Sequence, residues 1–136
     1  MDDVTIHLGA VGVSALVVMI IGALWYSPLL FAKPWMKAVG KKSEDVKMDS
    51  VWKMYGGMAL LSLLFAYVMA HFVIFLDLTT ASQALQFALW TWVGIAIPVT
   101  ASDYMFAGRS VKLYAINLSY QLVSLIVMIL ILTLWR

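Results

Sequence analysis

The chain has 136 residues, of which 64% are hydrophobic and only 12% are charged. A water-soluble domain of this size carries about twice that charged fraction, so the excess apolar surface is expected to face lipid. The chain contains no cysteine, which excludes disulfides and thiolate chemistry, and its net charge of +2 is too small for a nucleic-acid-binding surface.

The charged residues divide the chain into four long uncharged intervals. No Asp, Glu, Lys or Arg occurs in residues 4–32, 54–76, 78–102 and 113–135. Each interval is longer than the roughly 20 residues with which a helix crosses about 30 Å of hydrocarbon. The sequence therefore predicts an all-α integral membrane protein, one domain over residues 1–136, with transmembrane helices near 7–29, 54–76, 81–102 and 113–135.

The first helix and the loop after it carry local boundary signals. Two aspartates near the N-terminus stand where a secretory signal peptide would be basic, so we expect no signal peptide. Ser27-Pro28 is expected to close the helix, because the residue before a proline avoids the helical region. In the loop 33–53, residues 34–39 predict a short interfacial helix, and Ser43 predicts the start of another.

The third helix has signals at both of its ends. Thr80, with Gln83 three positions later, has the pattern of a capping box at the helix start. The turn before it, residues 77–79, is so short that the second and third helices are expected to be antiparallel neighbours. Gly108 is expected to stop the chain segment before the fourth helix.

Lysine and arginine are concentrated in two of the loops. The loop 33–53 carries six of them and the loop 103–112 carries two, whereas the opposite side carries only Arg136. The positive-inside rule therefore predicts that both loops are cytoplasmic and that both termini lie outside the cytoplasm. The lysines from Lys33 to Lys53 are expected to contact anionic lipid headgroups, with a docking surface for a cytoplasmic partner as the alternative.

An alignment of the sequence with itself, at a fixed offset, matches the end of the first helix to the end of the third. It places Ser27, Phe31, Ala32 and Lys37 on Ser102, Phe106, Ala107 and Lys112. The match predicts two helical hairpins of the same orientation, related by a pseudo-two-fold axis along the membrane normal, as occurs in transporters. Convergence on the same chemistry at a membrane exit is the alternative explanation.

Two blocks of the sequence are distinctive. They are Gly22–Phe31 followed by Lys33, Trp35, Met36 and Lys37, and Asp103–Phe106 followed by Gly108, Arg109, Lys112, Leu113, Asn117 and Tyr120. In these blocks the chain resembles the bacterial membrane proteins grouped as domain-of-unknown-function family 1761. The resemblance extends over nearly the whole chain. The resemblance implies a four-helix fold in a bacterial inner membrane, and it brings no assigned activity or catalytic residues.

Polar residues at membrane depth are the candidate functional positions. Asp103 ends the third helix, where the helix dipole disfavours a carboxylate, so we expect it to have a cationic or hydrogen-bonding partner. Arg109 and Lys112 are near it in the sequence, and the residues expected at its height include Tyr26, Ser27, Thr100 and Asn117. Together they predict a polar pocket at the cytoplasmic mouth, which serves either as a structural salt bridge or as a contact for a solute.

Two further polar groups lie deeper in the predicted helices. Gln121 and Ser124 continue the helix face of Asn117, where they either join helices or line a narrow solute path. Tyr67 and His71 share a face of the second helix, which indicates either a local hydrogen bond or a proton or ligand site. A single intramembrane histidine has too few companions to bind a metal, so neither a metal site nor another cofactor is predicted.

Small residues recur at helical spacing on the first two helices. Ala10 and Ser14, and then Ser62, Ala66 and Ala70, are each four positions apart. This spacing lets helices approach closely. The pattern does not distinguish a contact within one chain from a contact between chains.

The sequence favours a homo-oligomeric transporter or permeation protein for a small solute, in which Asp103 and Asn117 contact the solute or a coupling proton. The alternative is a non-catalytic accessory or structural subunit of a larger membrane complex. An enzyme is disfavoured, because the sequence has no nucleophile–base pair, no catalytic carboxylate pair and no soluble domain to hold one.

Overall fold

All regular secondary structure in the described part of the chain is helical. The computed structural model describes residues 5–27, 30, 32–39 and 48–135. Its helices are α1 (Leu8–Trp25), α2 (Ala32–Val39), α3 (Met48–Phe75), α4 (Ala81–Thr91), α5 (Ile97–Ala107) and α6 (Val111–Leu134), with a π-helical turn at Trp92–Ala96 between α4 and α5. The interfacial helix predicted at 34–39 lies within α2, and the helix start predicted at Ser43 lies outside the described residues.

In the part of the chain that the structure describes, four helical segments are long and apolar enough to cross a bilayer, and we call them the first to fourth spans. They are α1, the part Val51–Phe75 of α3, the segment Ala81–Ala107 that runs through α4, the π turn and α5, and α6. This finding confirms the predicted all-α integral membrane architecture. The first span ends earlier than predicted, at Trp25, and the third continues further, to Ala107.

The caps predicted around the third span are present. Thr80 Oγ1 accepts a hydrogen bond from the Gln83 backbone N–H at 3.2 Å, and Gln83 Oε1 accepts one from the Thr80 N–H at 3.1 Å. This capping box satisfies two of the donors that a first helical turn leaves free. At the other end, Gly108 has a φ of 64°, which glycine adopts without the penalty of a Cβ. Gly108 therefore ends α5, as predicted.

The third span is interrupted in its middle by the π-helical turn, which the sequence analysis did not predict. Pro98 follows this turn. A proline has no N–H, and its ring clashes with the carbonyl four residues earlier, here that of Gly94. The Ile97 N–H bonds to the Trp92 carbonyl, five residues back, so the helix is widened immediately before the proline. The wider turn is a way of accommodating Pro98 without ending the helix.

The bundle has two ends, which differ in charge. The basic end contains α2, the start of α3 and the corner between α5 and α6. The far end contains the start of α1, the turn between α3 and α4, and the end of α6. A cavity at the far end is lined by the start of α1 and by the ends of α3 and α6, so α1 is antiparallel to both of these helices.

The helix α6 lies at the centre of the bundle. It contacts each of the other helices in the described chain as well as the π turn. The third span is antiparallel to α6, because Trp92 Nε1 donates to the Leu118 carbonyl and Tyr114 Oη donates to the Ile97 carbonyl, both at 2.9 Å. The four spans therefore form two hairpins of the same orientation.

The two hairpins contact each other unequally. The helix α1 packs extensively on α6. A two-fold axis relating the hairpins would pair α4 with α3 in the same way. These two helices meet at the rings of Phe72 and Phe87, whose centroids are 6.2 Å apart. They do not pack extensively on each other in the described chain. The second and third spans are therefore joined by a short turn but each has its main packing partner elsewhere.

Four of the five small residues predicted at helical spacing on the first two spans are buried inside the bundle, and Ser62 is half-buried. The relative exposure is 1% for Ala10, 0% for Ser14, 0% for Ala66 and 5% for Ala70. The helices α1 and α3, which carry these residues, pack extensively on each other. The close approach that the sequence predicts is therefore made within one chain.

Candidate functional site

Asn117 links three of the four spans at the basic end. Its Oδ1 accepts a hydrogen bond from the Tyr26 hydroxyl at 2.6 Å, and its Nδ2 donates to the Tyr104 hydroxyl. Tyr26 follows α1, Tyr104 lies on α5, and Asn117 lies two turns into α6. Both polar atoms of the Asn117 amide are therefore used in bonds between spans.

Further tyrosine rings surround this amide. The rings of Tyr104 and Tyr114 lie 4.5 Å apart between centroids, and those of Tyr26 and Tyr120 lie 5.5 Å apart in an edge-to-face arrangement. Such aromatic pairs contribute about 0.5–1.5 kcal/mol beyond the area they bury. We call these four tyrosines and Asn117 the Tyr–Asn cluster.

Two interactions set the electrostatics of the cluster. The Arg109 guanidinium carbon lies 5.7 Å from the centroid of the Tyr104 ring, a cation–π geometry. Tyr26 lies one residue beyond α1, and desolvation by burial raises the pKa of its hydroxyl above the ordinary value, with Tyr120 and Tyr104 adding to the effect. The Tyr26 hydroxyl therefore stays protonated and remains a hydrogen-bond donor to Asn117 at physiological pH.

The structure brings together only part of the predicted polar pocket. Tyr26 and Asn117 are bonded, and Arg109 reaches the cluster through the Tyr104 ring. The Ser27 hydroxyl instead bonds to the Leu24 carbonyl of its own helix at 2.6 Å. Asp103 is exposed and makes no hydrogen bond or ion pair with the described residues, so the structure does not place this carboxylate in the cluster.

Three tyrosines of the cluster, Tyr104, Tyr114 and Tyr120, were not predicted from the sequence as site residues. Tyr114 and Tyr120 lie three positions before and after Asn117, so helical spacing places them beside its face of α6. That spacing was available as a signal. Tyr104 had no comparable signal, because its contact with Asn117 depends on how α5 packs against α6.

Tyr67 and His71 are close to each other, but their hydrogen bond is not between side chains. His71 Nδ1 lies 2.9 Å from the backbone carbonyl of Tyr67, and the two rings are in edge-to-face contact at 4.6 Å. Both interactions are local to one turn of α3. Among the described residues, no three His, Cys, Asp or Glu side chains gather in the way a metal site requires.

Among the described residues, four buried side-chain oxygens have no hydrogen-bond partner. They are Ser14 Oγ, Gln121 Oε1, Ser124 Oγ and Thr133 Oγ1. Other hydroxyls in the spans do bond to their own helix, as Thr100 Oγ1 does to the Ala96 carbonyl at 2.6 Å. A buried acceptor or donor left unpaired costs about 1–3 kcal/mol, so each of these atoms requires an explanation.

Three of these atoms, Gln121 Oε1, Ser124 Oγ and Ser14 Oγ, lie further along the bundle from the Tyr–Asn cluster, toward the far end. Asn117, Gln121 and Ser124 share one face of α6 and span about 10 Å along it. The Tyr120 hydroxyl donates to the Val18 carbonyl at 3.3 Å, and this contact sets the register between α1 and α6. In that register Ser14, four residues before Val18, lies level with Ser124, four residues after Tyr120. We call Asn117, Gln121, Ser124 and Ser14 the polar line.

The far end of the bundle contains a cavity of about 380 Å³. It is lined by Thr5, Ile6, His7, Ala10, Ala70, Ile74, Leu132 and Trp135. His7 Nδ1 accepts a hydrogen bond from the Ala10 N–H at 2.9 Å, which caps α1, and the His7 ring lies 5.5 Å from the ring of Trp135. Met128 and Ile129, each 0% exposed, lie between this far cavity and the polar line along α6.

Comparison with known proteins identifies a family but no activity. The family model described as "Protein of unknown function (DUF1761)" matches residues 9–133. No curated protein and no solved structure matches the chain.

Proposed function

We propose that this chain, which belongs to the DUF1761 family of unknown function, is a transporter or permeation protein for a small, neutral, polar solute and works as a homo-oligomer. The observation that carries the proposal is the polar line, in which three buried oxygens have no partner. A solute with hydrogen-bond donors would pair with Gln121 Oε1 and Ser124 Oγ in turn. Pairing only while a solute passes explains why the chain itself leaves these atoms unsatisfied.

The chemistry of the polar line favours a neutral solute. Its members are amides and hydroxyls, so each can exchange hydrogen bonds with hydroxyl or amide groups. None of them is a carboxylate, an amine, a guanidinium or an imidazole. An ion would lose its hydration on the line without gaining an opposite charge, which is costly at membrane depth.

The interruption of the third span supplies a movable part. Half of this span, α5, is held to α6 by polar contacts such as that between Tyr104 and Asn117 and that between Tyr114 and the Ile97 carbonyl. Broken helices and π turns recur at transport and functional sites. Movement of α5 about the π turn would open the Tyr–Asn cluster and expose the polar line at the basic end.

Oligomer formation is supported by the packing of the bundle centre. Met128 and Ile129 fill the middle of one chain, so a continuous path through a single bundle needs this layer to move. Four helices enclose little space for a solute. An interface between two chains would provide a second place for a solute path. The oligomer is part of the proposal, and its number is left to measurement.

Osmotic swelling of proteoliposomes tests the proposal directly. Purified protein is reconstituted, and the influx of urea, glycerol and xylitol is followed by stopped-flow light scattering. We expect influx of at least one of these solutes to exceed that into empty liposomes. Replacing Gln121 with leucine removes one hydrogen bond of about 1 kcal/mol and should slow that influx about fivefold.

Ser102→Ala is the matched control for this experiment. The Ser102 hydroxyl bonds to the Val99 carbonyl of its own helix at 3.2 Å and lies outside the polar line. Its loss should leave the influx unchanged. Influx equal to that of empty liposomes for all three solutes, or equal slowing by both variants, contradicts the proposal.

A second candidate function is an accessory subunit of a larger membrane complex. The third span favours it, because α4 and α5 pack chiefly on α6 and expose large apolar side chains, including Trp90 at 75% and Phe106 at 94%. Gentle extraction followed by native mass spectrometry distinguishes the two functions. A single species at an integer multiple of 15.2 kDa supports self-assembly, and a defined larger complex supports the subunit role.

We also propose that the protein lies in a bacterial inner membrane with its basic end in the cytoplasm. Because the chain has no cysteine, single cysteines can be introduced without background. With a membrane-impermeant maleimide on spheroplasts, we expect labelling of Thr79→Cys at the far end and labelling of Val111→Cys only after permeabilisation. The reverse pattern contradicts the orientation given by the positive-inside rule.

A further inference from the structure

A groove lies between α2 and α6 at the basic end. Its volume is about 280 Å³, and its lining residues are Pro34 of α2 and Lys112, Ala115, Ile116 and Ser119 of α6. Ala115 and Ser119 are exposed and lie one turn apart, so they form a shallow shelf on the surface of a membrane-spanning helix. The Ser119 hydroxyl donates to the Ala115 carbonyl at 2.7 Å, so the shelf presents no free hydrogen-bond donor.

Three lysines lie on the two helices that form this groove. Lys112 lines it, Lys33 precedes Pro34 in α2, and Lys37 lies about one turn further along α2. All three lysines are exposed and make no ion pair with the described residues. Basic pockets between helices on one side of a membrane protein bind anionic lipid headgroups, and each lysine near such a surface contributes about 1 kcal/mol.

The dimensions of the groove match one lipid. Lys112 and Ser119 are seven residues apart on α6, which corresponds to about 10 Å along the helix. This distance extends from the headgroup region into the first part of the hydrocarbon. We infer that one anionic phospholipid binds in this groove, with its phosphate at Lys112 and the lysines of α2 and one acyl chain along Ala115 and Ser119.

The charge and the polarity of the groove together favour this occupant. The shelf is apolar and faces the bilayer, and its cationic end lies where lipid phosphates lie. A free anion would use the lysines but not the shelf, and a zwitterionic lipid would use the shelf without net charge complementarity. The residues of α6 that line this groove are different from those of the polar line. Lipid binding in the groove therefore does not depend on the proposed transport function.

Native mass spectrometry with defined lipids tests the inference. The full chain is delipidated in detergent and titrated separately with dioleoylphosphatidylglycerol and dioleoylphosphatidylcholine. We expect one phosphatidylglycerol molecule to bind more tightly than phosphatidylcholine. Lys112→Gln should weaken phosphatidylglycerol binding about fivefold and leave phosphatidylcholine binding unchanged. Ser119→Leu, which fills the shelf, should remove the single-lipid adduct of both lipids.

Two controls separate a site from a diffuse charge effect. Lys53→Gln removes an exposed lysine of α3 that does not line the groove, and it should leave phosphatidylglycerol binding unchanged. Glycerol 3-phosphate, which has a phosphate and no acyl chain, should not compete. Equal affinity for the two lipids, equal weakening by Lys53→Gln and Lys112→Gln, or competition by glycerol 3-phosphate would each overturn the inference.

Discussion

Replacement of Asn117 with leucine is expected to lower the free energy of unfolding by about 1–3 kcal/mol, because it removes two hydrogen bonds between helices. The two partners are the hydroxyls of Tyr26, which directly follows the first span, and of Tyr104 on the third span. Leucine has the same number and branching of side-chain heavy atoms as asparagine, but its methyl groups are bulkier than the amide. Thermal unfolding in detergent, followed by the fluorescence of the six tryptophans, measures the effect.

A second substitution separates the hydrogen bond from other effects of the leucine. Tyr26→Phe alone should destabilise the protein, since it removes the donor to Asn117 Oδ1. Combined with Asn117→Leu, it should add little, because the bond is already absent. Ser102→Ala, whose hydroxyl bonds only within its own helix, should change stability by less than about 0.5 kcal/mol. If the effects of Tyr26→Phe and Asn117→Leu on the free energy of unfolding were additive, the hydrogen bond between these two side chains would not contribute to stability.

The same variant connects stability with the proposed function. Asn117 stands where α5 meets α6 and at the start of the polar line. If the Tyr–Asn cluster is the part that opens, Asn117→Leu should change solute influx more than Ser102→Ala does, at a temperature at which both variants remain folded. An unchanged influx in the folded Asn117→Leu variant would exclude Asn117 from the solute path.

Gly22→Leu is the second substitution for which we expect a large effect. A Cβ at this position would lie 3.0 Å from the Tyr120 hydroxyl and 3.3 Å from its ring. The rest of a leucine side chain cannot fit there unless Tyr120 moves, which breaks its bond to the Val18 carbonyl. Overpacking of this kind costs about 1–3 kcal/mol. The disturbance should reach Tyr26, one turn away on the same chain.

Gly12→Leu is the matched control, because it makes the same change in the same helix. A Cβ at Gly12 would have no atom within 4 Å. Leucine has the better helix propensity, so this variant should be as stable as the wild type or more stable by up to about 1 kcal/mol. Thermal unfolding of the two variants side by side makes the comparison. Equal destabilisation by both would show that α1 and α6 do not approach closely at Gly22.

Much of the architecture follows from features that are local in the chain. The uncharged intervals longer than 20 residues predict the four spans, because a lipid-exposed segment must satisfy its backbone hydrogen bonds within itself. The capping box at Thr80 and the stop at Gly108 are equally local, since the partners lie within four residues of each other. The membership of the family is likewise predicted from short blocks of sequence and confirmed by the match over residues 9–133.

The candidate site depended on contacts that are distant in the chain. Asn117 was predicted as a site residue from its polarity at membrane depth, but its bond to Tyr104, rather than to Asp103, follows from how α5 packs on α6. Helices in lipid associate through shape and a few polar contacts, and hydropathy does not encode which faces meet. The central position of α6 has the same origin.

The sequence alone therefore determined the number and approximate extent of the spans, because burial in hydrocarbon imposes length and charge rules on every segment separately. Only the tertiary structure decided that Pro98 is accommodated by a π turn, that Ser14 and Ser124 stay unpaired inside the bundle, and that Ala66 packs within one chain. These outcomes depend on the space that neighbouring helices leave around a residue, and that space is a property of the assembled bundle.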